Sequence, residues 1–418
     1  MKIFLLFALG FGAFSLSGPA LASADDNQDC GEMEILDISM GMCMPRTMDN
    51  MSMSMLMVHG NGFFTQVVEQ GPRGRSAVAF PDMFMADVGT TLGNRHYLNL
   101  DLMTTVEKWT FPDRGYPELL QIGESDSNGS PFLDAQHPHN SPIMGLTVSD
   151  TVSIGEEKDH LKLFFAPRGE STDGPIAFMH RITGMVNPDV PLGHHIGQDV
   201  GHISSTVLGG ALQLGDTQLQ ASVFNGTEPE PESVNLPLAT PNSYALRLIE
   251  EFSPKWMGMI SAAYIQNPEP DFPDIAFETR YSASIYNQVQ LTPGWKFHNS
   301  LIYGLINNYD HANLFSVGEE FLFSGDCPRI WGRVEFVQRT PAELGISTVS
   351  APDDGHVVTA LTLGYTHAVF KSTDAELGIG ASITSDLLPS DYKDAYGGSN
   401  PWSGRIFIQF SGMKMWEL

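Results

Sequence analysis

His96-Tyr-Leu-Asn-Leu-Asp-Leu-Met-Thr-Thr-Val-Glu107 alternates apolar and polar side chains: Leu98, Leu100, Leu102 and Val106 fall on one face, and Asn99, Asp101, Thr105 and Glu107 on the other. A period of two means an extended strand, because successive side chains leave a pleated backbone on opposite sides. Thr217-Gln-Leu-Gln-Ala-Ser-Val223 repeats the pattern, setting Leu219 and Val223 against Gln218, Gln220 and Ser222. A sheet with one apolar and one polar face suits a wall between lipid and a wet lumen.

Sixteen segments read this way, near 57–69, 78–91, 95–110, 142–151, 159–167, 202–215, 217–225, 242–252, 256–266, 278–290, 295–308, 312–324, 328–338, 355–369, 374–385 and 402–412. Connections after even-numbered segments are mostly tight, as at Gly215-Asp216 and Thr292-Pro-Gly294, while those after odd-numbered ones are mostly long, as at 111–141 and 168–201. The last segment, Trp402-Ser-Gly-Arg-Ile-Phe-Ile-Gln-Phe410, alternates Ile406, Ile408 and Phe410, with Ser411 to Leu418 following it. The expectation is an all-β protein: a transmembrane antiparallel β-barrel of about 16 strands, with short periplasmic turns and long extracellular loops. A sandwich or propeller would not predict that asymmetry of loops.

The amino end carries Lys2, an apolar run from Ile3 to Phe14, and Ala20-Leu-Ala22-Ser-Ala24, the layout of a cleaved export signal. The run is too short for a permanent helical span, and no Leu-x-x-Cys arrangement precedes Cys30. Residues 1–24 are therefore expected to be a signal peptide, 25–56 a Met-rich periplasmic extension, and 57–418 the barrel, placed in a bacterial outer membrane with a periplasmic N-terminus. Charged residues make up only 17% of the chain, low for a soluble globule. A net charge of −27 argues against nucleic acid as a partner and favours cations. Cys30 and Cys43 bracket a short loop and could pair, leaving Cys327 alone.

Two groups of residues could carry chemistry. Met40, Met42, Cys43, Met44, Met51, Met53 and Met55 lie among other methionines in the extension. Thioethers are soft, neutral donors that favour Cu(I) over hard cations. A flexible spacer, or a sacrificial oxidant, would leave the same composition. The second group is His137, His139, His180, His194, His195 and His202, with Asp134 and Asp199 nearby. Imidazole with carboxylate suits Zn²⁺, Cu²⁺ or Ni²⁺, although the spacing follows no standard zinc pattern. The two long loops that bear them follow the third and fifth strands, so they leave the barrel at one end and can meet. Hydrogen-bonded histidines stiffening a loop folded into the lumen are the competing account. Acidic stretches at Glu228-Pro-Glu-Pro-Glu232, Asn267-Pro-Glu-Pro-Asp271 and Pro352-Asp-Asp354 read as solvated loop tips. The chain has no Gly-x-Ser-x-Gly elbow, phosphate loop, dinucleotide fingerprint or Cys-x-x-Cys-His haem site, so no enzyme is expected.

Glu69-Gln-Gly-Pro-Arg-Gly74, Gly115-Tyr-Pro-Glu-Leu-Leu-Gln121, Asp134-Ala-Gln-His-Pro-His139, Gly174-Pro-Ile-Ala-Phe-Met-His-Arg181 and Pro191-Leu-Gly-His-His195 occur together, continuing to His202-Ile-Ser204. In combination they resemble a family of uncharacterised Gram-negative outer-membrane barrels with Met-rich amino ends. Asn140 departs from that family, where an acidic residue is usual. The resemblance covers about residues 30–210 and implies location and fold, not activity. The function expected is binding of soft or borderline metal ions, copper foremost, for resistance or for passage across the outer membrane. No cofactor is certain; copper is the one these donors would take. The alternatives are a general or solute-specific porin for small solutes, with a structural His-rich constriction loop, and a surface interaction protein. Lipid is the expected surrounding in each case.

Overall fold

The computed structural model describes residues 34–37, 42–45, 54–126, 128–139, 141–155, 158–199, 201, 203–227, 238–268, 275–308, 313–349 and 351–418. Sixteen strands close into one antiparallel barrel. They are β1 (Ser54–Glu69), β2 (Ser76–Leu92), β3 (His96–Thr104), β4 (Ile143–Ser153), β5 (His160–Gly169), β6 (Ser204–Leu214), β7 (Thr217–Asn225) and β8 (Ser243–Ser253). They continue as β9 (Trp256–Gln266), β10 (Phe277–Thr292), β11 (Trp295–Asn308), β12 (Asn313–Ser324), β13 (Pro328–Arg339), β14 (His356–Lys371), β15 (Ala375–Leu387) and β16 (Trp402–Glu417). Strand β2 is interrupted at Phe80-Pro81, where proline offers no N–H to the ladder. Register carries across the break all the same, with Thr65 facing Ala79 and Gly62 facing Asp82.

The barrel closes between β1 and β16, from Glu69 opposite Ser403 down to Met55 opposite Glu417. The last strand therefore runs past residue 412, the end expected for it, because Met413–Glu417 still find partners on β1. Outside, Leu100, Leu219, Val223, Ile260, Ile383 and Ile406 are exposed. In water such a continuous apolar wall would be an aggregation surface, whereas a bilayer solvates it. Asn99, Asp101, Gln218 and Gln220 point the other way, into the lumen. The two faces read from the sequence are the lipid face and the lumen face.

Strand β3 is shorter than its alternation suggests. It ends at Thr104, and Glu107–Thr110 forms one helical turn. Local polar bonds take over from the ladder there. Val106 N–H donates to the Asp82 carboxylate at 3.1 Å, Glu107 N–H to Thr105 Oγ1 at 3.2 Å, and Thr110 Oγ1 to Val106 O at 3.2 Å.

The two- and three-residue turns lie at one rim, for example Gly215-Asp216 and Pro293-Gly294, and the long connections lie at the other. Two of the long ones turn inward. Residues 105–142 carry an antiparallel hairpin, Tyr116–Ser125 with Pro131–Gln136. Residues 170–203 carry short helical turns at Phe178–His180 and His194–Gln198. The second loop lies directly on β11: a Cβ at Gly304 would sit 2.1 Å from Ile196 O, and Gly197 has φ +67°. Only glycine permits both that approach and that backbone. Where these loops meet the 340–355 and 388–401 connections, Leu119, Leu192, Ile196, Leu344 and Tyr392 form an apolar core inside the barrel.

Candidate functional site

The inward loops are held by arginines and acids on the inner wall. Arg333 donates to Asp189 O at 3.1 Å from each terminal nitrogen. Arg339 donates to Leu120 O at 3.0 Å, and Arg405 to Pro117 O at 3.1 Å and to the Asp189 carboxylate at 2.9 Å. From the loop side, Arg181 forms a two-pronged pair with Glu320, Nε–Oε2 3.1 Å and Nη2–Oε1 2.9 Å, with Thr183 Oγ1 donating to the same carboxylate at 2.8 Å. Buried charge is tolerated here where it is paired, Arg181 with Glu320 and Arg405 with Asp189. Arg339 is held instead by the neutral oxygens of Leu120, Gln121 and Leu192. On the hairpin, burial raises the Glu118 carboxyl well above its usual range, reinforced by Asp189 and opposed by Arg405 and Arg333.

Between the two loops the histidines converge. Ring centroids of His194 and His195 lie 4.6 Å apart, His137 and His139 5.3 Å, and His137 and His195 5.7 Å. Carboxylates orient two of them: Glu107 contacts His139 Nδ1 at 2.8 Å, and Asp199 contacts His194 Nδ1. The other Asp199 oxygen accepts from Phe178 N–H at 2.9 Å, tying the knot to the next turn. Beside them lies a cavity of about 60 Å³, with His139, His194, Glu107 and Asn61 in its wall. Among the described residues, no three His, Cys, Asp or Glu side chains are placed to share a metal ion.

The other predicted residues are dispersed. Asp134 is held by Arg73 at 2.5 Å, by Leu120 N–H at 2.9 Å and by Tyr396 Oη at 2.8 Å, which makes it a clamp for the hairpin. His180 lies apart from the other predicted histidines, on a larger cavity that His59 also lines. His202, Met40, Met51, Met53, Cys30 and Asn140 fall outside the described residues. So do the acidic tip 228–232 and most of the tip at 267–271. Met42, Cys43 and Met44 lie on the strand Met42–Pro45, which pairs with Glu34–Asp37. Met55, read as the end of the extension, stands in β1. Cys327 is free and exposed.

The larger cavity measures about 600 Å³ and occupies the lumen beside β1 to β9. It reaches the short-turn rim at Asp216 and Glu251, and residues 169–180 of the inward loop bound it on the other side. Its wall carries the carboxylates of Asp87, Asp101, Glu170, Asp216 and Glu251 against the bases Lys162 and Arg247. Methionines Met57, Met85, Met103, Met257 and Met259 complete much of the rest. Burial pushes the His180 imidazole below its ordinary value; Glu170, Asp199 and Asp87 oppose the shift and Arg181 adds to it. Sequence reading missed this inner wall. The signal for it was Met83-Phe-Met85 and Met55-Leu-Met57, methionines at alternate positions of strands.

A closed antiparallel barrel, apolar outside and narrowed by its own loops, has the architecture of the outer-membrane porins. OmpF of Salmonella typhi, solved with daunomycin, superposes with a TM-score of 0.51 and 8% identity, over 86% of this chain and 97% of that one. The anion-selective porin from Comamonas acidovorans gives 0.50 and 10% identity, over 86% of this chain and 100% of that one. At such identities the likeness is one of fold. No family model and no curated protein matches the chain.

Proposed function

We propose that this chain is an outer-membrane channel for small solutes, with cations preferred. The observation that supports this most is the cavity beside β1 to β9, which its own loops leave unfilled and whose wall carries more carboxylates than bases. Carboxylates around a lumen attract cations and repel anions. The apolar outer wall supports residence in a bilayer. The long-loop rim faces outward if, as expected, the N-terminus is periplasmic.

Soft or borderline metal ions, copper first, are the cargo that the thioethers in the wall favour over organic solutes. The histidine knot is better suited to fastening two loops than to holding the ion, since among the described residues no three His, Cys, Asp or Glu side chains are placed to share one. The test of the channel is a reversal potential. Purified protein in a planar bilayer under a KCl gradient should show cation preference. Replacing Asp87, Asp101 and Glu170 by their amides should move the reversal potential toward zero. Anion preference in the unaltered protein, or no conductance at all, would overturn the reading.

A further inference from the structure

We infer that the inner wall across β16, β1 and β2 is a binding site for a soft monovalent metal cation, Cu(I) or Ag(I), with the His59 imidazole at its centre and the thioethers of Met57, Met85, Met413 and Met415 around it. The inference rests on the metal-cargo reading for its purpose, but its test measures binding without passage.

Strand register places these donors. His59 lies directly opposite Met85 on one side and Met413 on the other. Two residues along β1, Met57 lies opposite Asp87 and Met415 in the same way. Directly opposed residues hold their Cβ atoms roughly 4.5–5.5 Å apart, and the step along a strand to the same face is about 7 Å. All five donors share the lumen face, since Met413 and Met415 keep step with buried Phe407 and Gln409, while Ile408 and Phe410 face lipid. A methionine side chain turns about three bonds, so sulfurs on this grid can close on one ion.

The chemistry of the donors selects the ion. Thioethers need lose no proton and favour soft monovalent copper or silver. Among the described residues no three carboxylate or imidazole groups are placed to share a hard cation. Asp87 supplies negative charge, its Oδ2 3.8 Å from His59 Nε2, and Asp101 stands opposite it on β3. His180 faces the same cavity from the inward loop.

Methionine also serves as an adaptable filler of apolar cores. That accounts for Met83, Met103, Met144 and Met179, which pack together under the loop with Met85 at the edge of the cluster, half-buried and also open to the cavity. It accounts less well for Met57, which lines the open cavity next to a histidine and a carboxylate. The alternation Met51-Ser-Met-Ser-Met-Leu-Met57 also runs from the extension into β1. There Met55 and Met57 share the lumen face.

Methyl-¹³C methionine spectra of the full chain in detergent test the site directly. The 20 methionines report individually, and single Met→Leu changes assign them. With Ag(I) as the probe, in chloride-free buffer, the Met57, Met85 and Met413 methyls should shift within the first equivalents. Met257 and Met259, on the far wall, should stay in place. Met85→Leu with Met413→Leu should weaken that step at least tenfold while keeping heat-modifiable gel mobility, and His59→Phe should do the same. Two results overturn the site: wall methyls unmoved in excess Ag(I) while the Met40–Met53 signals move, or an unchanged titration in the double variant. Since the spectra need no conductance, a silent bilayer recording with shifted wall methyls would sink the channel and leave the site standing.

Discussion

Arg181→Met removes the loop's main anchor to the wall and leaves Glu320 facing a thioether. Arg181 is 0% exposed and Glu320 2%, so neither charge has water to fall back on. Breaking a buried ion pair from one side costs about 3–5 kcal/mol, because the orphaned charge stays buried. The lower end applies here, since Thr183 still donates to Glu320 and Arg333 Nε remains 3.3 Å from it. At about 1.4 kcal/mol per decade, roughly 3 kcal/mol makes the loop leave the lumen wall about a hundred times more often. Single-channel recording should then show a larger or flickering conductance, and proteases should cut within 170–203 where the parent resists. Adding Glu320→Gln removes the orphaned charge and should restore part of the docking, a non-additivity expected of contacting residues. Parental conductance and an unchanged digestion pattern in Arg181→Met would refute the claim that this pair holds the loop.

The His180 imidazole is held below its ordinary value of about 6.5 by burial, amid Glu170, Asp199, Asp87 and Arg181. A base with a depressed folded value supports docking fully above about pH 6.5 and loses that support as pH falls through the folded value. Hydrogen exchange at Gly174–Gly184 should therefore speed up on going from pH 7.5 to 5, and less so in His180→Gln; equal acceleration in both would assign the effect elsewhere. Asp134→Asn gives up the charge that meets Arg73, Tyr396 and the Leu120 amide. It should destabilise the hairpin by about 1–3 kcal/mol, the usual cost of weakening a buried charged acceptor, and speed proteolysis within 116–136. An unchanged rate there would show that the apolar core alone holds it.

Most of the fold could be read because a barrel wall meets two solvents, and period-2 patterning records both. Leu219 against Gln218 is unambiguous. The pattern fails where the lumen is not water. Phe63 and Phe407 face inward against Trp331, and Met83 faces inward under the loop, so inner and outer faces of those strands look alike in sequence. Strand β3 was overread for a related reason: Val106 keeps the alternation, but Asp82 captures its N–H. The meeting of His137, His139, His194 and His195 was legible, because loops after odd strands share a rim. The docking arginines were not. Nothing in the sequence says that Arg333 or Arg405 faces a loop carbonyl until that loop is seen inside the barrel.

The lumen is used unevenly, and the sequence accounts for the unevenness. Glu320 on β12, Arg333 and Arg339 on β13 and Arg405 on β16 are the wall's grips on the two inward loops. Gly304 on β11 lets the 170–203 backbone lie flat on the same sector. From β3 to β7 the inner face carries Asn99, Asp101, Thr147, Ser149, Lys162, Gln213 and Gln218 instead, side chains that line the open cavity. Docking therefore fills one side of the barrel and leaves the other as cavity. Arg247 on β8 marks the border: it donates to Gly174 O at 2.9 Å and also lines the open space. On the proposed channel reading, the docked loops narrow the lumen and the open sector is what a solute would meet.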